Sequence, residues 1–301
     1  MMKIAIIGAG AIGLLFSYYL NKKYEVTLYT RTNDQAEMIQ SRGVHLIDGG
    51  LSEIGKVPAK PIELWVGAED LTIITVKQYQ LQSILPQLSK YSESKGSLLF
   101  LQNGMGHLKL LSDLKVDNIY IGSVEHGAAK LNGNTVSHNG HGVTRTSVFK
   151  GSKTLLENLV HTCPDDFHLT LESDYQEILV KKLIVNAVIN PLTAAFQVEN
   201  GIIIRNPFFY KVVISLFDEV AKVLHLKNKE DHFRNVVSVC EKTSANRSSM
   251  LKDLEAGRET EVDSILGYLL EEAQRKEMIA PLIYNYYHLI KGKEYQKEGS
   301  M

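Results

Sequence analysis

Lys3-Ile-Ala-Ile-Ile7-Gly8-Ala-Gly10-Ala-Ile-Gly13-Leu14-Leu-Phe-Ser-Tyr-Tyr-Leu20 is the stretch on which the reading of the first half of this chain turns. Lys3 to Ile7 is a short apolar run of the kind that suits a central parallel strand, buried on both faces. Three glycines follow at once, and Leu14 to Leu20 then reads as a helix. In a strand–glycine–helix unit the first glycine makes the tight turn and the second lets backbone approach a pyrophosphate. The third permits close packing of helix on strand, and the phosphates meet the amides of the helix N-terminus. A glycine-rich turn without a ligand is the simpler alternative, but it does not call for the second glycine. The order strand, glycines, helix therefore assigns Gly8, Ala9, Gly10, Ala11, Ile12 and Gly13 to cofactor binding.

The next strand refines the cofactor. Glu25-Val-Thr-Leu-Tyr-Thr-Arg31 ends where an NAD-binding chain usually places Asp or Glu for the ribose hydroxyls. Arg31 cannot accept from those hydroxyls, but its guanidinium can clamp a 2′-phosphate with two hydrogen bonds. NADP is the expected cofactor.

Outward from there, strand-like and helical runs alternate. Leu71–Val76 and Ser97–Leu101 read as strands, Tyr79–Leu88 and His107–Leu114 as helices, and Ile119–Val124 as a further strand. Thr135–Ser137 and Val143–Val148 alternate around Asn139-Gly140-His141-Gly142 and read as a hairpin. Lys77, beyond one strand, and Gln102-Asn103-Gly104-Met105-Gly106, beyond the next, occupy the carboxyl ends at which open α/β sheets bind ligands. Lys77 and Asn103 are thus cofactor candidates. From about Ser173 the period changes, and Pro207–Leu226, Lys229–Glu255, Val262–Glu277 and Pro281–Ile290 read as helices. The expected division is residues 1–172 as an α/β nucleotide domain and 173–301 as an all-helical one.

One helix in the second half carries a polar row. Lys182, Asn186 and Asn190 stand four residues apart in an otherwise apolar run. Steps of four drift by only about 40° on a helix, so the three share one face. A buried ammonium or carboxamide without a partner is costly, so this face should meet a polar cleft. Further on, Ser248-Ser249-Met250 leads to Asp253, Gly257, Arg258, Thr260, Glu261 and Asp263. Gly257 reads as a helix stop, Thr260 as the cap of the next helix and Asp263 as its capping partner, which leaves Glu261 without a structural task.

Composition sets the outer limits. The 301 residues exceed one ordinary core, and 44% hydrophobic with 22% charged residues is the balance of a globular protein. A net charge of −1, from 33 basic and 34 acidic residues, leaves no footprint for nucleic acid. Cys163 and Cys240 are too few for a disulfide framework and point to a reducing, cytoplasmic setting. The apolar start is broken by glycines and lacks a cleavage site, and no other stretch approaches the ~20 apolar residues needed to span a bilayer, so no membrane partner is expected. His138 and His141 flank a tight turn and read as solvated residues rather than metal ligands; no metal is expected. The aromatic run Tyr284-Asn-Tyr286-Tyr287-His288 lacks a basic patch and suits a core or a homodimer interface.

These motifs, in this order, resemble the ketopantoate reductase (2-dehydropantoate 2-reductase) family along the whole chain. The resemblance rests on the three glycines, Arg31, Val76-Lys77, Gln102-Asn103-Gly104, Lys182 to Asn190-Pro-Leu-Thr, Asn200-Gly201, and Ser248-Ser-Met through Arg258 to Glu261. It implies a Rossmann-type NADP-binding domain followed by a helical domain like the C-terminal one of 6-phosphogluconate dehydrogenase, with the site between them. It also implies NADPH-dependent reduction of ketopantoate to D-pantoate, toward pantothenate and coenzyme A. Lys182 would then be the general acid, with Glu261 orienting it or the substrate hydroxyl. Asn186, Asn190, Ser249 and Asn200 would hold the substrate, and Asn103 would serve both substrate and nicotinamide. The neighbouring Lys181 lacks the four-residue step to Asn186. Two other functions share these motifs: a D-2-hydroxyacid dehydrogenase for another branched or aromatic 2-oxo acid, and a non-catalytic NADPH sensor.

Overall fold

The computed structural model describes residues 1–90 and 96–298. Two compact units emerge, one from residues 1–102 and 108–178, the other from 103–107 and 179–301.

Among the described residues the first unit holds twelve strands: β1 (Lys3–Ile7), β2 (Glu25–Thr30), β3 (Val44–Asp48), β4 (Leu51–Gly55), β5 (Ala59–Pro61), β6 (Leu71–Ile74), β7 (Ser97–Phe100), β8 (Asn118–Val124), β9 (Gly127–Lys130), β10 (Thr135–Gly140), β11 (Thr144–Lys150) and β12 (Leu169–Leu171). Eight of them form a sheet in the order β12-β11-β8-β7-β6-β1-β2-β5, and β4-β3-β10-β9 form a smaller one. β1 runs parallel to β2 on one side and to β6 on the other, which makes its carboxyl end a topological switch point. Every residue of β1 from Ile4 to Ile7 is buried, as a strand covered on both faces requires.

The helices number α1 (Ala11–Leu20), α2 (Asn33–Arg42), α3 (Gln78–Lys90), α4 (Leu108–Leu111), α5 (Thr154–Thr162), α6 (Tyr175–Phe196), α7 (Ile202–Arg205), α8 (Pro207–Val223), α9 (Lys229–Lys242), α10 (Ser249–Glu255), α11 (Tyr268–Arg275) and α12 (Pro281–Glu298). α1 is buried from Gly13 to Leu20, and its Phe16 and Tyr19 pack on Phe167 with ring centroids 4.8 and 4.6 Å away.

Five expectations are corrected. Thr135–Ser137 and Val143–Val148 do not form a hairpin, because β10 pairs with β3 and β9 while β11 pairs with β8 and β12 in the other sheet. The hairpin turn lies one step earlier, at Leu131–Asn134, where Asn132 Oδ1 accepts from the amides of Asn134 and Thr135. Both places carry Asn-Gly; sheet partners choose between them. His138 is accordingly buried rather than solvated. The helix read as Lys229–Glu255 breaks into α9 and α10, since Ser248 Oγ caps a new start by accepting from the Leu251 amide. α4 covers only Leu108–Leu111 of His107–Leu114. Finally, α6, with 22 residues, is long and apolar enough by length and composition to cross a membrane, although 67% of its most apolar window is buried inside the protein.

Candidate functional site

In the first unit, the glycine loop is shaped by contacts that exclude a side chain. Gly8 sits at φ +110°, and a Cβ on Gly13 would lie 1.7 Å from the Gly8 carbonyl oxygen, so helix and turn could not close. Gly10, by contrast, faces open space, with no atom within 4 Å of where its Cβ would be. That is the cradle a pyrophosphate requires: tight backbone behind, nothing in front. Thr75 Oγ1 lies 3.0 Å from Ile7 O and 2.8 Å from Gly8 O, which share its one proton, and so braces the turn from β6.

Arg31 follows β2 and is exposed, with no carboxylate paired to it among the described residues. Thr32 Oγ1 caps α2 beside it, accepting from the Gln35 amide. A second cation stands here that the sequence did not reveal. Lys130, at the end of β9, donates to the Ala9 carbonyl at 3.0 Å, and burial together with Arg31 lowers its pKa. Gln35 Nε2 donates to the same carbonyl at 3.0 Å. Lys130 lies 121 residues from Ala9, so no local pattern could announce it. Two neighbouring cations raise each other's energy unless an anion lies near, which is the electrostatic demand of a phosphate site. Lys77 is half-buried after β6, its amide donating to Gln80 Oε1 at 3.2 Å. Gln102 Nε2 donates to the carbonyls of Ile74 and Val76, and so ties this loop to the end of β7.

In the second unit, Asn103 Nδ2 donates to Glu261 Oε2 at 2.7 Å. Gly104, at φ +80°, lets this contact form, since a Cβ there would lie 2.1 Å from the Ser264 carbonyl oxygen. Glu261 is part-buried and opens into a π-helical turn, Asp263–Gly267. Thr260 Oγ1 accepts from the Val262 amide at 3.2 Å, the cap expected from sequence, but Asp263 does not play the expected part of its capping partner. Its carboxylate accepts from Tyr287 Oη at 2.7 Å and pairs with Lys291 at 3.1 Å. The Thr260 amide instead donates to Glu294 Oε1 at 2.8 Å. α12 therefore holds the chain on both sides of Glu261.

On α6, Lys182 and Asn186 are half-buried and Asn190 is 7% exposed, whereas Lys181 is exposed. Pro191 removes an amide from the helix interior, and Thr193 Oγ1 donates to the Ile189 carbonyl and is hydrogen-bonded to Ser248 Oγ, joining α6 to the start of α10. Ser249 is exposed at the first position of α10. Asn200 Nδ2 donates to Thr243 Oγ1 at 2.9 Å, a bond that fastens the turn after α6 to the end of α9.

A phosphate-ready glycine loop with a basic pair, joined to a helical unit bearing a lysine, a carboxylate and carboxamides, defines the class of dinucleotide-dependent oxidoreductases. The family models described as Ketopantoate reductase PanE/ApbA and as its C terminal match residues 4–151 and 174–294. The chain belongs to the ketopantoate reductase family, whose members are NAD(P)-dependent oxidoreductases. It is 42% identical over 296 residues to a 2-dehydropantoate 2-reductase of Bacillus subtilis, covering 97% of this chain and 98% of that one. The solved structure of a probable 2-dehydropantoate 2-reductase from Bacillus subtilis superposes with a TM-score of 0.88 at 41% identity, over 97% of this chain and 100% of that one. A D-mandelate dehydrogenase solved with NADH and anilino(oxo)acetate shares the fold, with a TM-score of 0.90 at 24% identity over 99% of both chains.

Proposed function

We propose that this chain reduces 2-dehydropantoate (ketopantoate) to D-pantoate with NADPH, in a reducing, cytoplasmic setting that agrees with its two free, buried cysteines. The observation that carries the reading is the register of α6: a half-buried Lys182 in line with Asn186 and Asn190, next to an exposed Lys181. The bound cofactor supplies the hydride from its nicotinamide ring. Gly8 to Gly13 bind its pyrophosphate through backbone amides, and Arg31 with Lys130 holds the 2′-phosphate. Lys77 and Asn103 orient the nicotinamide half. Lys182 delivers a proton from Nζ to the keto oxygen, so the alkoxide never develops a full charge. Glu261, fixed by Asn103, accepts from the substrate hydroxyl and keeps a negative charge near the lysine. Asn186, Asn190, Ser249 and Asn200 offer donors to the carboxylate and the hydroxyl.

Steady-state rates with NADPH across a panel of 2-oxo acids test this. A site built to bond a hydroxyl leaves its own groups unpaired against an analogue lacking one. Ketopantoate should therefore exceed 2-oxoisovalerate, which lacks the hydroxymethyl group, by at least about two decades in kcat/KM. A better rate with 2-oxoisovalerate or phenylpyruvate would assign the chain to another 2-oxo acid. No turnover with any of them would leave it a cofactor-binding protein.

A further inference from the structure

Asp48, at the end of β3, and His138, on β10, meet His141, in the connection from β10 to β11, with their ligand-capable atoms all within 4.8 Å of one another. Asp48 Oδ2 lies 2.9 Å from His141 Nε2 and 3.8 Å from His138 Nδ1. We propose that these three side chains form a site for one divalent cation of the zinc class. Ligand atoms about 2.0–2.1 Å from a tetrahedral centre stand roughly 3.3 Å apart, and the observed separations bracket that value.

The proton inventory leaves the ligand atom of His138 on the side of Asp48. The Gly142 amide donates to His126 Nδ1 at 3.3 Å, so that nitrogen offers a lone pair. His138 Nε2, 3.2 Å from it, must then be the donor, which leaves the lone pair of His138 on Nδ1, facing Asp48. Tyr19 Oη lies 3.0 Å from this Nδ1 and 3.3 Å from Asp48 Oδ2, and its single proton serves only one of them. An imidazole lone pair and a carboxylate thus converge, with the Tyr19 hydroxyl between them and the His141 imidazole, 2.9–3.0 Å from both carboxylate oxygens, as the third group of the cluster. A cation would take the His138 and His141 lone pairs and the carboxylate together, in place of the hydrogen bonds from Tyr19 and His141. His126 occupies the place of the outer partner that fixes a ligand imidazole's tautomer and orientation.

The donor set selects the ion. Two imidazoles and one carboxylate suit Zn²⁺ and its neighbours, whereas Mg²⁺ and Ca²⁺ require oxygen throughout. Access is open, because the His141 side chain is 54% exposed while His138 is buried. Such an ion would cross-link the two inner strands of the small sheet, β3 and β10, and the segment leading into the large sheet, beside Tyr19 of α1. It is a structural clamp on the first unit, independent of the reaction proposed above.

The test uses the full chain without a histidine tag, stripped of metal and titrated with Zn²⁺, Co²⁺ and Mg²⁺. One equivalent of Co²⁺ should give the visible absorption of a four-coordinate centre. Zn²⁺ at about a hundredfold excess over its Kd should raise Tm by roughly 5–10 °C, and Mg²⁺ should not. His141→Ala, at an exposed position that should leave the fold intact by circular dichroism, should abolish both signals, as should Asp48→Asn. An unchanged Tm with Zn²⁺, an equal response to Mg²⁺, or retention of the cobalt spectrum in His141→Ala would overturn the proposal.

Discussion

Arg31 and Lys130 stand close enough for each to feel the other's charge. One arrives with β2 and the other with β9, and burial beside Arg31 lowers the lysine's pKa. A charge-assisted hydrogen bond to a phosphate is worth ~1.5–3 kcal/mol, or one to two decades in affinity. Arg31→Ala should raise KM for NADPH by that factor and leave KM for NADH nearly unchanged, as steady-state titration of both cofactors would show. Equal losses for both would remove the 2′-phosphate role. Lys182 and Lys181 make a sharper contrast. A general acid contributes ~10²–10⁴ in rate, so Lys182→Ala should lower kcat by that order while NADPH fluorescence still reports binding. Lys181→Ala, on the exposed face, should be close to silent. The reverse result would place the acid on the other lysine.

Elements decide where Glu261 sits. Thr260 Oγ1 caps the start of the next helix through the Val262 amide, but Asp263 does not reciprocate; α12 supplies the missing carboxylate through Glu294 and a cation through Lys291. Burial pulls the Lys291 ammonium down, but Glu294 and Asp263 more than offset it and hold the pKa above its ordinary value. Glu294→Ala would leave the Thr260 amide unpaired and loosen the turn that carries Glu261. Chemical denaturation should register a loss of ~1–3 kcal/mol, together with a lower kcat at unchanged KM for NADPH. Glu294→Gln, which keeps an acceptor for the amide, should recover part of both. A variant as stable and active as the parent would show that the π turn holds itself.

At the scale of the whole molecule, the loop 103–107 leaves the first unit in sequence and packs with the second. His107 is buried there, neither ring nitrogen bonded among the described residues, and burial lowers its pKa from 6.5 to about 4. The folded chain thus refuses a proton that the unfolded chain accepts below pH 6.5. Stability attributable to this residue is complete above that pH and is lost progressively as the pH falls toward 4, by ~3 kcal/mol in all. Tm measured between pH 7 and 4 should fall less steeply in His107→Leu than in the parent. Parallel curves would show that His107 is not the group responsible.

Sequence alone determined the strand–glycine–helix start, the change of period near Ser173 and the register Lys182–Asn186–Asn190. Each is a local property: chain order, periodicity of two or 3.6, and the space a missing Cβ leaves are written within a few residues. Only tertiary structure decided which Asn-Gly turns a hairpin, because strands choose partners across the sheet and both sites carry the same dipeptide. It alone placed Lys130 on the Ala9 carbonyl, Glu294 on the Thr260 amide and Asn103 on Glu261, contacts spanning 121, 34 and 158 residues. It also buried His138, which a solvated turn would have exposed. Such pairings depend on burial and on which polar group is left without a partner once distant elements pack, and neither quantity exists until the chain has folded.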